Sequence, residues 1–326
     1  MLIFPDELRD RLISSTRSQP NVHLYFSASH THNGLGGWAD GFGGQLIAGK
    51  YHPEWIGTVS SSILKKMDAM KMQASPSALG YFEADASEFV KNRLVAGAPV
   101  DGTIRGLKII RNGLDSLVLF TYSGHPTLLE QNSLEISNDY PGETIRRLEN
   151  QGYSFAMFMA GMVGSHRVTN IGGENYERVN NLARELSERI INADVRKLND
   201  TEIQLLGFEI PFRPSQVRLM KDLALRDWVF SSVLQPLDGT IQTIRIGDLH
   251  LASTPCDFSG ELYQDIGNRY KPMMITSFNG DYVGYITNDS HYDSSSYMEV
   301  RTMNWVGPYY GWYFQKMINS AADKLR

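Results

Sequence analysis

The sequence predicts an α/β domain with a mixed β-sheet core flanked by helices. Segments of helical and strand period intermingle along all 326 residues. No Pro/Ser-rich linker and no internal repeat divides them, so the economical reading is a single domain over residues 1–326. With 42% hydrophobic residues the chain can bury a large core.

Pro5 followed by Asp6 and Glu7 reads as a helix start, with Leu8, Leu12 and Ile13 as the buried stripe of a short helix to about Ser15. Val22, Leu24, Phe26 and Ala28 have the period of a strand that ends at His30. From Gly34 to Gly49 seven glycines argue against a regular element and for a surface loop. A helix is expected from about Pro53 to Met70, then strands near Leu79 to Glu83, Gly102 to Arg111 and Ser116 to Tyr122. Two further helices follow, one after Asp139-Tyr140-Pro141 and one from about Glu174 to Asn192, where Val179, Leu182, Leu186 and Ile190 make an apolar stripe. Strands recur near Gln204 to Ile210, Thr240 to Ile246, Leu249 to Ser253 and Met273 to Phe278, before a last helix from Tyr310 to Lys324.

The formal charge of −5 and the scattered Lys and Arg residues argue against a nucleic-acid partner. The single cysteine, Cys256, cannot form an internal disulfide. No apolar stretch reaches transmembrane length, and Met1 to Glu7 lacks the basic and apolar regions of a signal peptide. The chain as it stands therefore reads as unexported, with its compartment open.

Among the eight histidines, His30 and His32 stand two apart at the expected strand end and share one face if the extended geometry persists. By spacing alone such a pair fits a hydrogen-bonded polar pair better than a metal site. Ser27, Ser29, Thr31 and Asn33 shift the balance, because an inert core strand would not carry that much polarity. His125 follows the apolar run Leu117-Val118-Leu119-Phe120 and can converge with His30 from a neighbouring strand; it can equally be a loop histidine before a turn proline. Asp257 also follows an apolar strand, where a helix cap is the plainer role, and Asp139 suits a cap better than a catalytic part. The tyrosine-dense stretch from Asp281 to Glu299 reads as core or groove lining that also offers proton donors.

Taken in order, these segments resemble the neutral (non-lysosomal) ceramidase family. Its first metal histidine stands in a His-Thr-His-Ser-Gly-Pro-Gly-like run, which Ser29-His30-Thr31-His32-Asn33-Gly34 resembles. Its Asn-Arg segment is similar to Lys91-Asn92-Arg93, and its second metal histidine to His125 in Gly124-His125-Pro126-Thr127. Pro255-Cys256-Asp257-Phe258 looks like its Pro-Gly-Glu-Phe motif, Tyr285-Ile286-Thr287-Asn288 like its Tyr-Ile-Thr-Thr motif, and Tyr297 with Glu299 like its downstream Tyr-Glu. The resemblance runs from about residue 20 to about residue 308.

What it implies is a zinc-dependent hydrolase of N-acyl amide bonds with the metal site at strand ends. Zinc would be held by His30, His125, Asp257 and Tyr285, with His32, Arg93 and Tyr297 lining the reaction centre. The partner implied is a small-molecule or lipid amide. Members of the family are often secreted or periplasmic. Three departures stand against the pattern. Asp257 replaces a glutamate and reaches one methylene less. Arg167 takes the place of the family's active-site serine, with Ser165 displaced by two positions. The family's extra stretch before the first histidine and its appended β-sandwich have no counterpart, so a minimal catalytic domain is expected. The alternatives are a hydrolase of the same fold with another amide or ester substrate, and a non-catalytic binding homologue.

Overall fold

A computed structural model describes residues 1–71, 75–111, 116–130, 132–199, 202–233, 237–267, 269–293 and 297–326. The strands gather into two principal sheets. The first has five strands in the order Tyr153–Ala160, Ser116–Tyr122, Thr103–Arg111, Ser77–Asp85, Val195–Lys197. The second has four, in the order Met273–Ser277, Leu249–Thr254, Thr240–Ile246, Ile203–Glu209. Each sheet is mostly antiparallel with one parallel pair at an edge: Ser116–Tyr122 beside Tyr153–Ala160, and Leu249–Thr254 beside Met273–Ser277. The expected mixed α/β architecture is therefore present, with its strands divided between two sheets.

Side-chain alternation explains how the sheets stack. On the first sheet Tyr81, Leu107 and Met159 point one way, and they pack on Leu249, Leu251 and Met274 of the second in one core cluster. The opposite face of the first sheet, with Phe82, Ile104, Val118, Phe120, Ala156 and Phe158, is covered by the helices Asp139–Asn150 and Asn175–Asn192 through Leu148, Val179, Leu182, Leu186 and Ile190. Ile241, Ala252, Met273 and Ile275 on the outer face of the second sheet are covered by Phe314, Ile318 and Ala322 of the helix Tyr310–Lys324. The result is four layers, helix, sheet, sheet, helix. Each fully buried Leu, Ile or Phe in these layers contributes roughly 1.5–3 kcal/mol of burial free energy. One buried charge is placed to use the helix dipole: the Lys108 ammonium donates to the Ile190 carbonyl at 2.9 Å, in the last turn of Asn175–Asn192.

Two local expectations change. Residues 22–30 form no ladder, because their polar groups divide between the two sheets. The Ala28 carbonyl accepts from Ala160 N–H of the first sheet, whereas the Ser27 hydroxyl donates to the Ser277 carbonyl of the second at 3.0 Å. The segment is thereby wedged between the two parallel edges and delivers His30 to their ends. Within the glycine-rich stretch a helix forms at Phe42–Ala48, closed by Gly37 N–H donating to the Ala48 carbonyl. Among the described residues no helix is long and apolar enough to cross a membrane.

Candidate metal centre

Both parallel pairs run toward the same place. Past Tyr122 the chain reaches His125, past Ala160 it reaches Val163 and Gly164, past Thr254 it reaches Asp257, and past Ser277 it reaches Phe278. Strand ends in α/β sheets leave main-chain groups and side chains free to converge, and here two sheets contribute at once.

His125 is held by its own loop. The Tyr140 hydroxyl donates to the Gly124 carbonyl, and the Asp139 carboxylate accepts from the main-chain N–H groups of Leu128 and Tyr140 at 2.8 and 2.6 Å. Asp139 is thus a structural residue, pinning the histidine loop to the helix it starts. His30 has φ 57°, and Phe278, whose ring stacks on it at 3.9 Å between centroids, has φ 65°. Two non-glycine residues in the left-handed region side by side are backbone strain of the kind concentrated at functional sites. Asp257 lies directly opposite Tyr285 in a short parallel pairing, Asp257–Phe258 with Tyr285–Ile286. Its backbone is approached so closely by Gly164 that a Cβ there would sit 2.5 Å from the Asp257 carbonyl oxygen, so only glycine fits.

Three histidines meet. The Nε2 atoms of His30 and His32 each lie 3.1 Å from Nε2 of His125, and Asp257 Oδ1 is 3.4 Å from His30 Nε2. The other ring nitrogens decide what these contacts are. His30 Nδ1 donates to the Leu2 carbonyl at 2.7 Å and His125 Nδ1 donates to the Val163 carbonyl at 3.2 Å. Both rings therefore carry a proton on Nδ1, and in the neutral form of each the Nε2 lone pairs face one another. A second proton on His125 is opposed by burial first and then by the charges of His30, Arg93 and His32, which hold its pKa well below the ordinary histidine value. Asp257 Oδ1 is buried without a hydrogen-bond donor, while Oδ2 accepts from the Tyr282 hydroxyl at 2.7 Å. Burial alone would raise the Asp257 pKa, but His30, Tyr282 and Arg93 outweigh it and keep the carboxylate ionised.

Convergent nitrogen lone pairs and an unsatisfied carboxylate oxygen repel one another unless a cation lies between them. Tetrahedral zinc, about 2.0–2.1 Å from each ligand, would set neighbouring ligand atoms roughly 3.3 Å apart. Adjacent pairs lie near that spacing, at 3.1, 3.1 and 3.4 Å; the three histidine nitrogens all lie within 4.8 Å of one another, and Asp257 meets the cluster at His30. The donor set fits a divalent metal.

The remaining site residues are placed as follows. His32 sits at the exposed mouth of the cluster with its ring turned inward, and its pKa is lowered to about 4 by burial of the ring first and by the His30 charge second. The structure therefore brings His32 among the candidate ligands rather than beside them. The Tyr285 hydroxyl accepts from Arg93 at 3.0 Å, and burial, helped by Asp257, raises its pKa. Arg93 also pairs with Glu299 at 2.9 Å and donates to the Gly164 carbonyl. Tyr297 is 48% exposed at the start of the short helix Met298–Arg301. Tyr282, Glu299 and Phe278 were not assigned roles from the sequence. Tyr282 and Phe278 flank Asp257 and His30 only through the fold, although the Tyr-x-Glu spacing of Tyr297 and Glu299 was a usable signal.

Ser165 and His166 form a separate, closed arrangement. The Ser165 hydroxyl is buried, lies 3.0 Å from His166 Nδ1, and accepts from Gly260 N–H at 3.1 Å. His166 Nε2 accepts from Asp101 N–H at 2.8 Å, which commits the ring to its Nδ1–H form. Burial lowers the His166 pKa from 6.5 to about 4. As the pH drops below 6.5 the unfolded chain takes up a proton that the folded chain refuses. Stability should therefore fall between about pH 6.5 and 4, by roughly 3 kcal/mol in full. Urea unfolding across this range should show a shallower acid loss in His166→Gln than in the wild type; parallel curves would contradict the assignment.

Two-sheet α/β architecture with a histidine cluster at the shared strand ends thus defines a fold with a metal-binding capacity. That fold is neutral ceramidase-like. The structure is similar to that of a neutral ceramidase from Pseudomonas aeruginosa, with a TM-score of 0.83 and 14% identity, over 100% of this chain and 65% of that one. It is similar to a ceramidase complexed with C2, with a TM-score of 0.82 and 14% identity, over 99% of this chain and 66% of that one. The chain spans slightly less than two thirds of the length of both. No protein-family model and no curated protein matches the sequence.

Proposed function

We propose that the protein is a zinc-dependent amidohydrolase that cleaves N-acyl amides of the ceramide type into an amine and a fatty acid. The observation that carries this reading is the convergence of the His30, His32 and His125 ring nitrogens, with a buried Asp257 oxygen that has no hydrogen-bond donor 3.4 Å from His30 Nε2. His30, His125 and Asp257 would hold the metal, with His32 and Tyr285 as the candidates to complete its coordination. Bound zinc supplies a water of pKa about 7 and polarises the scissile carbonyl.

The protein's own groups prepare that chemistry. The Leu2 and Val163 carbonyls orient two ligand rings and raise their basicity. Tyr282 holds Asp257 by one oxygen so that the other faces His30. His32 at the mouth is kept neutral at pH 7 by burial of its ring, so where it does not bind metal it would face the substrate as an uncharged imidazole. Arg93, fixed by Glu299 and the Gly164 carbonyl, directs its guanidinium at the Tyr285 hydroxyl and would steady charge that develops on a bound acyl oxygen. Tyr297, at the exposed edge, is assigned to the substrate side.

A second reading, the same chemistry on a different headgroup, is favoured by one observation. Ser165 is locked into its contacts with His166 and Gly260, and Arg167 is exposed beside it, so no serine hydroxyl is presented at that segment. Hydrolysis of N-acylsphingosines, N-acyl ethanolamines and acyl esters of matched chain length by the zinc-loaded protein tests both readings. Amide cleavage that is lost on chelation and restored by zinc is expected. Turnover indifferent to chelation contradicts the proposal.

A further inference from the structure

We infer that the protein has an anion subsite formed by Lys91, Arg167 and Arg178, and that its amide substrate carries a negatively charged group bound there. The inference rests on the hydrolase reading for the word substrate, and on the pocket alone for the anion. A cavity of about 360 Å³ is lined by these three cations together with Thr127 and Thr169. Lys91 and Arg167 are directly opposite each other in the antiparallel pairing of Val90–Asn92 with His166–Val168, so their side chains leave the ladder on one face. Arg178 reaches the same cavity from the helix Asn175–Asn192 and donates to the Val168 carbonyl at 3.3 Å.

Three cations around one cavity repel one another, and among the described residues none of them has an ion-pair partner. Asp139 offers weak compensation: its carboxylate feels the Arg178 charge but spends its oxygens on the N–H groups of Leu128 and Tyr140. A second observation is independent of charge. Arg178 Nε is buried and has no hydrogen-bond acceptor. A buried guanidinium nitrogen left unsatisfied is destabilising, and an oxyanion in the cavity would satisfy it. The wall hydroxyls of Thr127 and Thr169 donate at 3.5 Å to the His125 carbonyl and Asn170 Oδ1, long contacts that an oxyanion could replace.

The pocket adjoins the metal centre through the main chain. Arg167 and His125 are parallel bridge partners, Thr127 follows His125 by two residues, and Lys91 precedes Arg93 by two. A substrate whose carbonyl sits at the histidines can therefore extend its polar end over the bridge into the cavity. Carboxylate and phosphate share the chemistry required, a planar or tetrahedral oxyanion for two guanidinium groups and an ammonium.

The test uses three N-lauroyl amides with one acyl chain: of ethanolamine, neutral; of glycine, with a carboxylate; and of O-phosphoethanolamine, with a phosphate. With the zinc-loaded full chain, kcat/KM for at least one anionic amide should exceed that for the neutral one by about tenfold or more. Whichever of the two is preferred names the source of the charge. Lys91→Ala should cut that preference about tenfold and leave the neutral amide unchanged. Titration calorimetry separates binding from hydrolysis: N-lauroylglycine should bind the wild type, and Arg167→Ala should weaken it by about tenfold, whether or not any amide is cleaved. Anion binding without turnover of any of the three amides would uphold the subsite and refute the hydrolase reading. Binding of N-lauroylglycine no tighter than that of the neutral amide, or unchanged in Arg167→Ala, would overturn the subsite.

Discussion

His125→Ala should lose bound zinc and lose amide hydrolysis together, with kcat/KM falling by roughly three orders of magnitude or more. His125 is the only histidine of the cluster whose Nε2 touches both of the others, at 3.1 Å each, so its removal breaks the donor set at its centre. The fold should survive. The ring makes one hydrogen bond to the main chain, at Val163, and its other contacts are the Nε2 atoms of His30 and His32. The metal-free variant should therefore unfold at a temperature close to that of the metal-free wild type, while only the wild type gains stability when zinc is added. Metal analysis after gel filtration, paired with thermal melts with and without zinc, reads both halves. Full zinc occupancy in the variant would remove His125 from the ligand set.

Asp257→Asn should move the metal-free and metal-loaded proteins in opposite directions. In the wild type a fully buried carboxylate oxygen faces His30 Nε2 at 3.4 Å without a donor. An asparagine of the same shape can present its amide N–H to that nitrogen and still accept from Tyr282, so the metal-free protein should gain about 1 kcal/mol. The same change deletes the one negative charge in the proposed donor set. Zinc affinity should fall by at least about a hundredfold, more than the 10–100-fold typical when a residue behind a ligand is changed. A structural aspartate, held only for its hydrogen bond to Tyr282, would show neither the gain without metal nor the loss with it. The two melts and a competitive chelator titration distinguish the cases.

Much of the fold was readable because many elements carry a clean period. The strand Ser116–Tyr122 and the helix Tyr310–Lys324 fall where their periodicity places them, and the helix Asn175–Asn192 shows its buried stripe of Val179, Leu182, Leu186 and Ile190. The strand Tyr153–Ala160 was not foreseen. It contains no β-branched residue, and its Ala and Met side chains favour helix as readily as sheet. Both of its faces pack on apolar layers, Ala156 and Phe158 toward the helices and Met159 toward the second sheet, so no polar alternation marks it. Division of the strands into two stacked sheets also left no local trace, since it depends on which distant segments pair.

At the site, the residue types were legible and their partners were not. His30 stands out by its spacing from His32 at a strand end and His125 and Asp257 by the apolar runs they follow, and the fold brings all three together. The separation of His30 from His32 into a ligand and a helper came from the family resemblance. The geometry instead sets both Nε2 atoms against His125. Ser165 looked like a displaced active-site hydroxyl, and only its buried contacts with His166 and Gly260 show that it is structural.

The central claim is that His30, His125 and Asp257 hold a zinc ion, with His32 or Tyr285 beside them. Crystals of the protein grown with zinc, measured on both sides of the zinc absorption edge, test it most directly. One strong anomalous peak is expected among His30 Nε2, His125 Nε2 and Asp257 Oδ1, present above the edge and absent below it. An empty map at that point, with the three side chains ordered, would contradict the account.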